Sequence, residues 1–379
     1  SAASSTQSIG GGGGYLRMSV TEVEDEFATG QGSKTATVTL GSDPSFSNHA
    51  GAVTQTYVGT ASTSGNMSSG LEVQSIGAGG GIAKISGTDT VEVIIGAQDN
   101  STGDGGAINL TNTGALATNG LLSHAAVIQS IGGGGGFVLT GLDQSKVTVT
   151  PSAANGGSGG AINFAQVGDV TVGGDRSFGI FAQSLGGGGG LVDDFFADSA
   201  GGTGSSSTVN IAFNGNLTAT GTNNIGIFAQ SRSSEAQGNI TVDLSDNKTI
   251  LVNDSGIGVK ISGGADNSFT NHGGFVIAAS EINPNAIPGV MMIAPDGYTV
   301  VGEEGNETVL NKSTGIFYGN MNLGGGVNSF TSELGASVFT GQQMFIGEDN
   351  QSTFTNQGLI SPGDQSIYTT AIAGNYNQT

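Results

Sequence analysis

The chain of 379 residues has no cysteine, no tryptophan and only six prolines. Without cysteine there is no disulfide framework and no thiolate metal site. Charged residues make up 10% of the chain, against about 25% in ordinary soluble domains. The shortage is one-sided. Nine Lys and Arg stand against thirty Asp and Glu, for a formal net charge of −21. So few cations exclude a phosphate-tracking surface, so no nucleic-acid partner is expected. They equally disfavour docking on anionic lipid, and no apolar run approaches the ~20 residues of a membrane span, so no membrane insertion is expected. No long stretch carries apolar residues at helical spacing. Serine, threonine, asparagine and 70 glycines fill the place of the missing charges.

The glycines are organised. Gln129-Ser130-Ile131 precedes Gly132 to Gly136, Gln183-Ser184-Leu185 precedes Gly186 to Gly190, and Gln7-Ser8-Ile9 precedes Gly10 to Gly14. Gln74-Ser75-Ile76 precedes Gly77-Ala78-Gly79-Gly80-Gly81, and a fifth copy, Gln230-Ser231, has lost its glycines. Upstream stands a second landmark, Gly106-Ala107-Ile108-Asn109 and Gly160-Ala161-Ile162-Asn163, with looser forms at Thr54 and Asn210. Thr54 to Gln74, Asn109 to Gln129, Asn163 to Gln183 and Asn210 to Gln230 each span 20 positions. From one glutamine to the next landmark the distance varies: 47, 35, 34 and 27. Constant spacing predicts stacked coils whose register cannot slip; variable spacing predicts surface loops.

Within the constant part, Ala161 to Phe164, Val170 to Val172 and Phe178 to Gln183 read as three short strands separated by Gly, Asp and Asn. Three strands in about 20 residues make one rung of a β-solenoid. A propeller has comparable repeats but not this elastic spacing. At roughly 20–25 residues per rung, about 15–18 rungs would form a rod on the order of 75–85 Å long. The Gly-rich-repeat coils are expected over 1–238. A second set over 239–379 carries a different unit: Asn267-Ser268-Phe269-Thr270-Asn271, Asn328-Ser329-Phe330-Thr331 and Ser352-Thr353-Phe354-Thr355-Asn356. Its phenylalanines should stack inside and its asparagines bridge corner amides. Pro284 to Pro295 reads as a loop.

These two repeats, in this order, resemble the passenger domains of type V bacterial autotransporters. So do the closing pieces Gly358-Leu359-Ile360-Ser361-Pro362-Gly363 and Gly374-Asn375-Tyr376-Asn377-Gln378-Thr379. The resemblance covers the whole chain. It implies an all-β fold, a right-handed parallel β-helix, and export to the bacterial cell surface. It also implies a covalently linked outer-membrane barrel after Thr379. The polar start Ser1 to Thr6 is expected to be internal to a longer protein, and the absence of cysteine suits passage through an oxidising periplasm. That family includes adhesins, aggregation factors, proteases and esterases, so the chemistry has to be sought in the residues themselves.

The residues offer little chemistry. Gly132 to Gly136 is followed by the strand-like Phe137-Val138-Leu139 and no Gly-Lys-Ser/Thr, so it is no phosphate loop. Its repetition suggests a flat strip without side chains that another backbone, or a flat ligand, could approach. The three histidines are His49, His124 and His272. Asn253-Asp254-Ser255-Gly256 resembles the Gly-Asp-Ser-Gly of trypsin-like proteases without its first glycine, and no triad is expected. Acidic clusters at Glu22 to Glu26, at Asp193, Asp194 and Asp198, and at Glu303, Glu304 and Glu307 read as solvated loops. Asp169 and Asp175 have no carboxylate counterparts in the other repeats, which weakens a glycan-cleaving reading. The expectation is a non-enzymatic surface protein with no cofactor, acting in adhesion or self-association, with a passive stalk and then a glycan-active enzyme as alternatives. Its partners would be copies of itself, or a host, matrix or cell-surface ligand. Ile128, Ile180 and Ile227 should share an inner face, and Glu22 to Gly32 and Asp193 to Gly204 should protrude.

Overall fold

The computed structural model describes residues 2–19, 34–41, 47–98, 101–153, 156–253, 255–279, 296–348, 350–363 and 369–379. The expected loops at Glu22 to Gly32 and Pro284 to Pro295 therefore lie outside the described residues. Among the described residues the regular structure is all strand, apart from one 3-10 turn at Gln144–Lys146, with turns and irregular segments between the strands. It is a parallel β-helix. The constant 20-residue part builds each coil from three strands, as Ile162–Val167, Val170–Val172 and Phe178–Leu185 illustrate. Each strand pairs in parallel with its counterpart one repeat away, so that Asn163 lies opposite Asn109 and Asn210, and Gln183 opposite Gln129 and Gln230. The first strand of every coil joins one ten-stranded sheet running from Val53–Tyr57 to Asn375–Gln378. At ~4.8 Å per strand that sheet is on the order of 45 Å long.

The rod is thus shorter than 15–18 rungs, because the repeats between Gln74 and Gln230 span 55, 54 and 47 residues rather than 20–25, while near the C-terminus the coils are 21 to 24 residues long. The rest of each of these long Gly-rich repeats is not all loop. It folds into a lateral lobe that stacks in step with the rod. Gly13–Ser19, Gly80–Ser86, Gly135–Leu139 and Gly189–Val192 form one parallel sheet, and Thr35–Leu40, Thr90–Ile95 and Val147–Pro151 a second. Between them Val38, Ile85, Val93, Ile95, Val138 and Val192 make a separate core.

The main core runs unbroken from Val53 to Phe354. Each fully buried Ile or Phe in it contributes about 1.5–3 kcal/mol. Ile128, Ile180 and Ile227 all face this core, as expected. Ile180 sits opposite Ile227, whereas Ile128 lies one inward position along, opposite Ala182. A large residue in one column is thereby set beside a small one in the next, as close packing requires. Toward the C-terminus Phe330 stacks on Phe354 at 4.6 Å between ring centroids, and Phe354 meets Tyr376 at 5.1 Å. Beside them Asn271 Nδ2 donates to Asn311 Oδ1 at 3.0 Å, and Asn356 Nδ2 to Gln378 Oε1 at 2.9 Å.

Asp193 to Gly204 does not protrude. Asp193 is fully buried, and its carboxylate accepts from the Thr140 N–H at 2.7 Å, the Thr140 hydroxyl and the Gly141 N–H. Phe196–Ser199 then pairs antiparallel with Gly189–Val192. This return strand covers what would otherwise be an open sheet edge, a site prone to aggregation.

Candidate functional site

Each residue of the Gln-Ser-Ile-Gly repeat has a distinct task. The glutamines form a ladder: Gln7 Nε2 donates to Gln74 Oε1 at 2.7 Å, Gln74 to Gln129 at 2.7 Å, Gln129 to Gln183 at 2.8 Å, and Gln183 to Gln230 at 2.5 Å. The same amides reach the lobe, at the carbonyls of Gly81, Gly136 and Gly190. Ser75, Ser130 and Ser184 each donate to the landmark glycine carbonyl of their own coil, at Gly51, Gly106 and Gly160. Ile76, Ile131 and Leu185 pack on one another. The glycines then turn the chain back over the glutamines. Gly135 has φ +139°, and a Cβ there would lie 1.8 Å from the Gly189 carbonyl oxygen. Gly132 to Gly136 and Gly186 to Gly190 are buried between rod and lobe. In these copies the strip expected to meet another molecule is therefore used up inside this one, whereas in the first copy Gly12 and Gly13 are exposed.

The titratable residues are likewise occupied, and the structure does not bring them into one site. Asp104 N–H donates to His49 Nδ1 at 3.0 Å on the surface, and His272 Nε2 lies 3.2 Å from Asp243. His124 is fully buried and stacks on Phe178 at 4.6 Å. Its Nδ1 accepts from Phe178 N–H. Burial, and then the nearby Lys84, push it down to about 3, so it stays neutral. Ser255 is a corner residue with φ +62° whose Oγ accepts from Asn223 N–H, and Asp254 lies outside the described residues. Asp169 and Asp175 cap corner amides of the next coil, at Asn216 and Thr222.

Two acidic clusters read as solvated loops are instead ion-paired seams. Asp194 meets Arg176 at 2.6 Å, and Asp198 meets Arg232 at 2.9 Å. Arg232 also approaches Glu303 and Glu304, both at 3.3 Å. Burial works against the Glu303 carboxylate, but Lys260 at 2.9 Å, the Ser262 hydroxyl and Arg232 outweigh it and hold it below the usual range. Glu307 is buried, and burial pushes it up to about 7. The cluster at Glu22 to Glu26 lies outside the described residues. Among the described residues no group of three or more His, Asp or Glu could hold a metal ion.

What remains is a surface. On the outer face of the ten-stranded sheet, one column runs Thr54, Asn109, Asn163, Asn210, Thr241, Ser268, Thr308, Ser329, Thr353 and Asn375. The next runs Thr56, Thr111, Ala165, Ala212, Asp243, Thr270, Leu310, Thr331, Thr355 and Asn377. Asp243 is the one charged member of either. Asn210 Nδ2 donates to Asn163 Oδ1 and Asn163 Nδ2 to Asn109 Oδ1, both at 2.9 Å, which holds the column straight. A shallow groove of about 420 Å³ runs over Asn109, Asn163, Asn210 and Ala212. Ser/Thr/Asn-rich coil faces are legible in the sequence as a neutral route to self-association; the strand pairing fixes which columns make up this one. Its signal was the small polar or neutral residue at every alternate position. No family model, no curated protein and no solved structure matches this chain.

Proposed function

We propose that this chain is a non-catalytic, surface-displayed rod that associates side by side with copies of itself through the outer face of its ten-stranded sheet. The observation that carries this reading is a face whose two central columns hold one carboxylate, Asp243, with Asp266 at the start of its strand as the other acid on that face, on a chain of net charge −21. Two such faces can meet without burying like charges, while the acidic remainder repels every other approach. Hydroxyl and amide groups repeated at every strand offer many contacts, each worth about 0.5–1.5 kcal/mol at best. Binding that is weak per contact and long in extent suits cell-to-cell adhesion. The autotransporter resemblance, and with it a place on the bacterial surface, belongs to the same proposal. It is supported by the parallel β-helix and by the order of the two repeats.

The test is sedimentation velocity in low salt, high salt and calcium, for the parent chain and for Ala165→Glu with Thr331→Glu. Reversible association that grows as salt screens the acidic surface, and that the double variant abolishes, is the expected result. A monomer under every condition would leave the stalk reading, which the unbroken core favours as a stiff support.

A further inference from the structure

A pocket of about 360 Å³ lies between the second coil and the lobe, lined by Arg17, Asn66, Met67, Ser68, Lys84 and Ser86. Among the described residues no carboxylate lines it. Arg17 and Lys84 are direct neighbours on adjacent strands, where like charges repel. In a chain with nine cations against thirty acids, an Arg without an ion pair among the described residues, set beside a Lys that has a single carboxylate partner, leaves the pocket net cationic.

The fold does not require them. Lys84 is held at 2.9 Å by Glu72, and both are buried. At the same register one coil further on stand Leu139 and Val127. A buried ion pair is seldom more stabilising than well-packed aliphatics, and this molecule builds the aliphatic version next door. The pair instead fixes an ammonium in the pocket wall. Asn66 Oδ1 accepts from Leu121 N–H at 3.1 Å, and its amide nitrogen has no partner among the described residues.

We infer that this pocket binds an acidic sugar residue, its carboxylate on Arg17 and Lys84 and its hydroxyls on Asn66 and Ser86. A guanidinium grips a carboxylate with two parallel hydrogen bonds, and the volume falls within the range of small-ligand pockets, about 300–1,000 Å³. The inference is independent of association through the ten-stranded sheet.

Calorimetric titration of the full chain with glucuronate, glucose and sulfate at low ionic strength tests it. Two variants serve: Arg17→Gln, on an exposed position, and Glu72→Val with Lys84→Leu, which copies the neighbouring coil. Glucuronate should bind, glucose at least about tenfold more weakly, and each variant should weaken glucuronate by about tenfold or more. Absence of binding at about 10 mM glucuronate, equal binding of glucose, or sulfate binding as tightly as glucuronate would each overturn it. So would unchanged affinity in Arg17→Gln, which decides the matter even if the double variant fails to fold.

Discussion

Replacing Glu307 by Gln should make the rod more stable at neutral pH and remove part of its pH dependence. Glu307 occupies an inward column whose other members, Asn267, Asn328 and Ser352, are neutral. Its Oε1 accepts from Asn267 Nδ2 at 3.0 Å, its N–H donates to Asn328 Oδ1 at 2.8 Å, and its Oε2 has no partner. Burial and then the charged Glu303 raise it from 4.5 to about 7, against the opposing pull of its hydrogen bonds. The folded pKa thus exceeds the unfolded one. Below 4.5 both states hold the proton and the contribution to stability is complete. As pH rises from 4.5 to about 7 the unfolded chain releases the proton first, so stability falls; above 7 the loss is complete. At about 1.4 kcal/mol per pKa unit the loss is on the order of 3 kcal/mol. Denaturant unfolding of both proteins, followed by circular dichroism at pH 4.5, 5.5, 7 and 8, gives a difference in which the other carboxylates cancel. The variant should match the parent at the acid end and gain steadily up to neutrality. A difference that does not change with pH, or a variant less stable at pH 8, would refute the reasoning.

Gly135→Ala should destabilise by about 3 kcal/mol or more, since its methyl group meets the Gly189 carbonyl and its φ is one only glycine adopts readily; a fall in thermal midpoint checks it. Gln129→Ala would leave Gln74 Nε2 without its ladder acceptor and Gln183 Oε1 without its donor, at about 1–3 kcal/mol for each stranded group; denaturant midpoints would show this. Ile180→Asp would bury a charge in the main core and should give little folded protein on expression. Deleting 194–203, which a protruding loop would tolerate, should instead lower the thermal midpoint and promote aggregation measured by light scattering, because it uncovers Gly189–Val192.

The parallel coil was legible in the sequence because Asn109 to Gln129 and Asn163 to Gln183 share one spacing, and a core shared by successive strands enforces it. The lobe was harder to see. Insertion tolerance and lobe formation leave the same mark on repeat length. The alternation in Thr90–Ile95 and in Val147–Pro151 was the signal that separated them. The glycine strip was misplaced because glycine carries no side chain to show which face is buried. Gln129, seven positions before Gly136, held the information, since its amide needs that carbonyl. The rung count was too high for the same reason as the lobe was missed. Asp193 and Glu307 looked like surface acids because a local sequence cannot show that Thr140 or Asn267 arrives from another coil.

Met67, Leu122, Arg176, Asn223 and Ser255 occupy the same corner of successive coils, and all adopt a left-handed backbone with φ between +50° and +62°. No two are the same amino acid and none is glycine, so the corner's shape comes from the coils above and below it. The penalty for this conformation, of order 1 kcal/mol, is similar for most side chains. It therefore hardly selects among them. Selection falls to whatever stands opposite. Leu122 is sealed beneath the lobe, Arg176 reaches across to Asp194, and Asn223 and Ser255 face solvent. The corner separates architecture from decoration. A lineage, or an engineer, can rewrite the outward chemistry coil by coil at this position while the rod that carries it stays unchanged.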